Sequence, residues 1–210
     1  MSPKIAAVVF DMDGVLIDAK DWHYEALNRA LELFGYNISR YDHLVTFDGL
    51  PTRRKLEMLS RERGLPASLH GFLNELKQIY TLELAHARCK PIFQHEFALS
   101  NLKQMGYKLA VASNSIRNSI EVMMDKSNLK PHLDLILSNQ DVVQGKPHPE
   151  IYQKAIHGLG LTPEQCLVVE DNENGIKAAT DAGAHLLVVE AVTDVTLDTI
   201  LQRIEAIEHP

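Results

Sequence analysis

Four short polar clusters break into apolar stretches of the chain, and their residue types can do chemistry in combination. Asp11 and Asp13 flank Met12. In an extended segment, side chains at i and i+2 point the same way, so the two carboxylates face together while Met12 turns to the other side. Two acids aimed together repel, and they are tolerable beside a cation or where a phosphoryl group is transferred. Ser113-Asn114-Ser115 places small donors at the entrance of a helical pattern, which suits an anion. Gly145-Lys146-Pro147 sets one ammonium in a stiff loop, and Glu170-Asp171-Asn172 opens another helix with a second acid pair. Each cluster taken singly has a plainer reading, since Asp, Ser and Asn at helix starts commonly serve as caps.

The elements that must position these clusters are legible in the apolar pattern. Runs rich in β-branched residues occupy 5–10, 108–112, 167–169 and 185–189, with a weaker run at 133–137. Between the later runs the spacing turns helical: Ile116, Ile120 and Met123, then Ile151, Ala155, Ile156 and Leu159, then Ile176, Ala179 and Ala182. Gly106, Gly160 and Gly183 stand where helix C-termini want a left-handed residue. Strand and helix therefore alternate from about Phe97 onward, the pattern of an α/β fold with a parallel sheet covered by helices. Between Asp11 and Lys108 lies far more chain than a simple crossover needs, so something is inserted. The insert reads as helical: Trp22, Ala26, Ala30 and Leu33 share a face, Leu56 and Leu59 precede Gly64, and Phe72, Leu76, Ile79 and Leu84 run on toward Pro91. The expected organisation is an α/β core made of residues 1–18 and 88–210, with a small helical domain at 19–87. An insert leaving the carboxyl end of the first strand belongs over the edge where open parallel sheets bind ligands.

Composition narrows the function classes. The chain has 210 residues, 45% of them apolar, with 21 Lys and Arg against 28 Asp and Glu for a formal charge of −7. That apolar content supports a buried core and excludes a disordered tail. The acidic balance argues against nucleic acid and against anionic membranes as partners. No apolar run approaches the roughly 20 residues of a membrane-spanning helix, and the N-terminal apolar stretch reads as a first strand, not a signal peptide. Cys89 and Cys166 form no CxxC or Cys/His cluster, so a reducing cytoplasmic location is expected.

Acid pair, hydroxyl, lysine and second acid pair, in that order and each at a strand's carboxyl end, make a constellation that capping alone does not produce. The sequence resembles the haloacid dehalogenase superfamily over nearly its whole length: VVFDMDGVLID is similar to its first motif, AVASNS to its second, GKPHPEIY to its third and VVEDNENGI to its fourth. The subgroup resembled is that of β-phosphoglucomutase-like proteins. The resemblance implies a doubly wound, Rossmann-like core with an inserted small helical cap. By the same resemblance Asp11 is the nucleophile that forms an aspartyl-phosphate, and Asp13 is the acid and base that serves leaving group and water. It implies Mg²⁺ held by Asp11, the Asp13 carbonyl and Asp171, with Glu170 direct or through water. Ser113 and the amide of Asn114 would hold phosphoryl oxygens, and Lys146 would offset charge on Asp11 and the phosphate. True dehalogenases lack the second acid of the first motif, so Asp13 points to phosphoryl transfer.

Substrate choice would fall to the cap. His23 aligns with a site-facing histidine of the subgroup. Arg53, following Gly49-Leu50-Pro51, can clamp a distal anionic or hydroxyl-rich portion of a substrate, and Lys77 shares a helix face with Tyr80. The subgroup's mutases tend to carry Thr where this chain has Ala19 and Arg where it has Thr52, and a Pro-Gly turn near Phe93-Gln94. The first two departures favour hydrolysis over return of the phosphate to a sugar. The expectation is a Mg²⁺-dependent phosphatase of a small phosphorylated metabolite, a sugar phosphate above other classes, with a monomer favoured. A phosphosugar mutase and a non-catalytic binding protein on the same fold are the alternatives.

Overall fold

The computed structural model describes residues 4–47 and 50–209. The chain separates into two compact units, one formed by Met1–Asp18 with Cys89–Pro210 and the other by Ala19–Arg88.

The first unit is built on five strands, β1 (Ala7–Phe10), β2 (Lys108–Ala112), β3 (Leu135–Leu137), β4 (Cys166–Glu170) and β5 (His185–Val188). They form one sheet in the order β3-β2-β1-β4-β5, with every neighbouring pair parallel. Because both faces of such a sheet are covered, its inner strands are near-continuous apolar runs rather than alternating ones, with Lys108 at the start of β2 and Glu170 at the end of β4 as the charged exceptions. β1, with sequence AVVF, and β4 are buried throughout. Ala7, Val9, Ala110, Ala112, Cys166 and Val168 face one helical layer that supplies Ile151, Tyr152, Ala155, Ile156, Ala178 and Ala179. The two cysteines are free and buried, and burial pushes the Cys166 thiol up to about 11, which leaves it a packing group.

The strand order reverses direction at β1: the chain builds outward through β2 and β3, then returns to add β4 on the other side. In open parallel sheets, ligands bind beyond the carboxyl ends of the strands at such a reversal. The register makes this edge flush. Phe10 lies opposite both Val111 and Val169, so Asp11, Ala112 and Glu170 come next in line on three adjacent strands.

In the second unit, α1 (Lys20–Glu32) lies against α4 (His70–Arg88). A single turn, α2 (Arg40–Asp42), and α3 (Thr52–Arg63) complete it. Its core gathers Leu27, Ala30, Leu31, Ile38, Phe47, Leu56, Leu59, Leu65 and Leu73. Asn28 brackets the backbone of Ile38 with two hydrogen bonds of 2.8 Å. Gly64 takes the left-handed conformation, φ 70°, that closes α3. The apolar face of α4 is displaced from the expected one: Leu73 and Leu84 are buried, whereas Phe72 and Ile79 are about half exposed. Leu33, placed with the buried face of α1, is likewise exposed.

The remaining helices are α5 (Phe93–Gln104), α6 (Arg117–Lys126), α7 (Glu150–Gly158), α8 (Glu173–Asp181) and α9 (Leu197–Glu208), all in the first unit. No helix among the described residues is long and apolar enough to cross a membrane.

Candidate active site

Asp11 follows the last residue of β1 and stays on the ladder through its N–H, which donates to the Val169 carbonyl at 3.0 Å. The chain then turns at once: the amides of Leu16 and Ile17 both donate to the Met12 carbonyl, at 3.0 and 2.9 Å. Gly14 sits inside this turn at φ 92°, a conformation a side chain resists. Asp11 and Met12 are buried, and Asp13 is partly so.

Lys146 reaches this edge from the loop after β3 and is itself buried. Its ammonium donates to Asp11 Oδ1 at 2.7 Å and to Glu170 Oε1 at 2.6 Å. Burial alone would lower the lysine's pKa, but the two carboxylates overcome it and hold it above its ordinary value. Burial pushes the Asp11 carboxyl well up; Lys146 opposes this, and the charges of Glu170 and Asp13 add to it. One ammonium therefore stands among several acids, and the cluster has room for more positive charge.

Asp11, Glu170 and Asp171 each present a carboxylate oxygen, all lying within 4.8 Å of one another. An all-oxygen donor set at that separation fits a hard divalent cation of the Mg²⁺ type and not a soft metal. Asn172, directly after them, caps α8 by accepting from the Gly175 amide at 3.1 Å, so there the plain capping reading holds.

The Ser113–Ser115 stretch does not cap α6, whose N-cap is Ile116 without a side-chain bond. Ser113 is buried and its hydroxyl accepts from the Ser115 amide at 3.0 Å. Asn114 turns its side chain toward the lysine loop: its Nδ2 donates to the Lys146 carbonyl at 3.2 Å and its Oδ1 accepts from the Lys146 amide at 3.0 Å. A Cβ on Gly145 would come within 2.6 Å of that Oδ1, so glycine is required for the approach.

Asp11, Asp13, Ser113, Asn114, Lys146, Glu170 and Asp171 are thus gathered at one edge of the first unit. Three contacts that the sequence does not foretell support them. Ser115 donates to Asp13 Oδ2 at 3.0 Å, Tyr152 donates to Glu170 Oε1 at 2.6 Å, and Gly175 leaves the space that the Glu170 carboxylate fills. Ser115 and Tyr152 stand inside the second and third motifs, which was the available signal.

The remaining expected residues belong to the helical unit. Lys77 and His23 meet there, Nζ to Nδ1 at 3.0 Å. Arg53 lies at the start of α3, with an exposed side chain paired to Glu57 at 3.0 Å. Gly49 lies outside the described residues.

The profile of the family described as haloacid dehalogenase-like hydrolase matches residues 8–189. The chain is 29% identical over 198 residues to a phosphorylated carbohydrates phosphatase of Thermotoga maritima, covering 90% of this chain and 87% of that one. It is 30% identical over 179 residues to a phosphoglycolate phosphatase of Aquifex aeolicus, covering 84% and 80%. Among solved structures, a β-phosphoglucomutase from Clostridium difficile has the same fold, with a TM-score of 0.82 at 22% identity over 96% of this chain and 98% of that one. CbbY from Rhodobacter sphaeroides, solved in complex with phosphate, gives 0.79 at 23% identity over 88% and 85%. With a match running from β1 through β5, and with four motifs folded onto a single sheet edge, the chain belongs to the haloacid dehalogenase-like hydrolases.

Proposed function

We propose that the protein is a Mg²⁺-dependent phosphatase of a small phosphorylated metabolite, with sugar phosphates the preferred class, working through an aspartyl-phosphate on Asp11. The observation that carries this reading is the 2.7 Å contact between Asp11 and a buried lysine, inside a cluster of further carboxylates. A buried acid held by one ammonium and crowded by other acids suits a site that receives a dianion together with a cation. The phosphatases of carbohydrates and of phosphoglycolate among its relatives support the substrate class.

Asp11, Asp171 and the Asp13 carbonyl would hold Mg²⁺, with Glu170 direct or through water; bound there, the ion offsets the repulsion between the Asp11 carboxylate and the phosphoryl group. The Asp11 carboxylate attacks phosphorus in line, and the ester P–O bond breaks as Asp13 gives its proton to the leaving oxygen. Water then attacks the same phosphorus, Asp13 takes the water's proton, and the bond from phosphorus to Asp11 breaks to release inorganic phosphate. Ser115 keeps the Asp13 carboxylate oriented for both transfers. Ser113, the Asn114 amide and Lys146 hold the phosphoryl oxygens as charge builds on them. In the helical unit, the His23–Lys77 pair and Arg53 are assigned to substrate choice.

Purified protein assayed on a panel of phosphorylated metabolites, with and without Mg²⁺, tests the reading. Asp11→Asn is expected to lower turnover by more than about 10³-fold while the protein stays folded, and chelation to abolish the wild-type rate. Phosphorus NMR should show inorganic phosphate rising in step with substrate loss. A dominant isomeric phosphosugar would assign the mutase instead, and full activity in Asp11→Asn or in excess chelator would overturn the mechanism.

A further inference from the structure

Tyr152 lies on α7 among the most deeply buried side chains of the protein. Packing alone would be served as well by phenylalanine, and a buried hydroxyl is costly unless it is bonded. Here the hydroxyl donates at 2.6 Å to Glu170 Oε1, the same oxygen that accepts from Lys146 at 2.6 Å. The face of the ring meanwhile lies 4.8 Å from the Lys146 ammonium, within the range of a cation–π contact. One side chain thus addresses both members of a buried ion pair.

The electrostatics give the contact a purpose. Lys146 is shared between Asp11 and Glu170 at nearly equal distances. Glu170 is wholly enclosed, and an enclosed carboxylate draws on whatever donors surround it. Its Oε2 already accepts from the Asp171 amide at 3.1 Å. Without the phenol, Oε1 would have the ammonium as its donor and would compete harder for it against Asp11.

We propose that Tyr152 is a positioning residue for phosphoryl transfer: by donating to Glu170 it divides that carboxylate's demand with Lys146, and so keeps the ammonium available to Asp11. The proposal rests on the phosphatase reading. It predicts a role carried by one hydroxyl through Glu170, with no contact to substrate.

Tyr152→Phe retains the ring and removes the donor. The expected result is a fall in kcat of about 10-fold, the scale of one charge-assisted hydrogen bond, with KM and melting temperature near those of wild type. A second readout needs no turnover: fluorine NMR of beryllofluoride bound on Asp11 with Mg²⁺, where the resonance of the fluorine facing Lys146 should shift in Tyr152→Phe. That shift should be absent when the same change is made in a Glu170→Gln background. Wild-type kcat and an unchanged fluorine spectrum in Tyr152→Phe would overturn the proposal, as would an activity loss that merely tracks loss of folded protein. A wild-type protein with neither turnover nor a beryllofluoride complex would remove the phosphatase reading and this proposal with it. An active wild type with an indifferent Tyr152→Phe would remove this proposal alone.

Discussion

Gly175 acts by what it lacks. A Cβ at that position would overlap the Glu170 carboxylate, and Glu170 has no room to retreat because Lys146, Tyr152 and the Asp171 amide hold it on three sides. Gly175→Ala is therefore expected to push the carboxylate off Lys146. Turnover should drop by about 10²-fold, while stability falls by only ~1–3 kcal/mol, the usual cost of one extra carbon in a packed site. Rate assays beside a denaturant melt would check the two numbers, and an alanine variant with wild-type turnover would show that the notch is not needed. At this scale the chemical groups were legible in the sequence because their types are rarely placed together: acids two apart, a lysine between Gly and Pro, a second acid pair. The partners of Ser115 and Tyr152 were not, and the reason is physical. Each acquires its role from a partner on another element, Asp13 for one and Glu170 for the other, and a buried tyrosine on an apolar helix face looks like core until its hydroxyl's partner is known.

Between residues and the whole stands the loop that carries Lys146. β3 is only three residues long, so the sheet itself does little to hold the loop that leaves it. The loop is instead tied at two points along its length. Asn114 holds the Lys146 backbone, and Glu150, in the first turn of α7, accepts from the amides of Val143 at 3.0 Å and Gln144 at 2.9 Å. These amides, Gln144 first, together with Lys154 draw the Glu150 carboxyl down to about 2. A depressed carboxylate stabilises the fold above its ordinary range and loses that contribution as pH falls toward 2. Glu150→Gln should remove this part of the acid dependence and, at neutral pH, speed amide exchange at Val143 and Gln144 by about 10-fold; unchanged exchange would mean the loop is held without it. Strands and helices were largely readable from period and β-branching, and even the weak third strand was found. The buried face of α4 was misread because Phe72 and Leu73 are adjacent and equally apolar, and periodicity cannot say which of two neighbouring large residues turns inward. The π-helical turn at His43–Phe47 has no sequence signature at all.

At the scale of the whole molecule, a single histidine reports on the integrity of the core unit. His95 is buried in α5, its Nε2 donating to the Val192 carbonyl at 2.7 Å, and burial pushes its pKa below the ordinary value. As pH falls below about 6.5, the unfolded chain takes up a proton that the folded one resists. Stability is therefore complete above that pH and declines as it drops toward the depressed folded value. Thermal melts from pH 7.5 to 5.5 should show this decline, and His95→Gln should flatten it; equal slopes would place the acid sensitivity elsewhere. The sheet order carries a different consequence, which appears while the protein is being made. β1 is the centre of the sheet, yet it is the first element of the chain, and its partners at Lys108 and Cys166 lie in the second half. The helical unit is continuous from Ala19 to Arg88 and is made in full before either partner of β1. β1 must wait through all of that with AVVF unpaired on both edges, so the strand that leads into Asp11 stays open until its second partner, Cys166–Glu170, has been made, and crowded synthesis threatens it in the meantime.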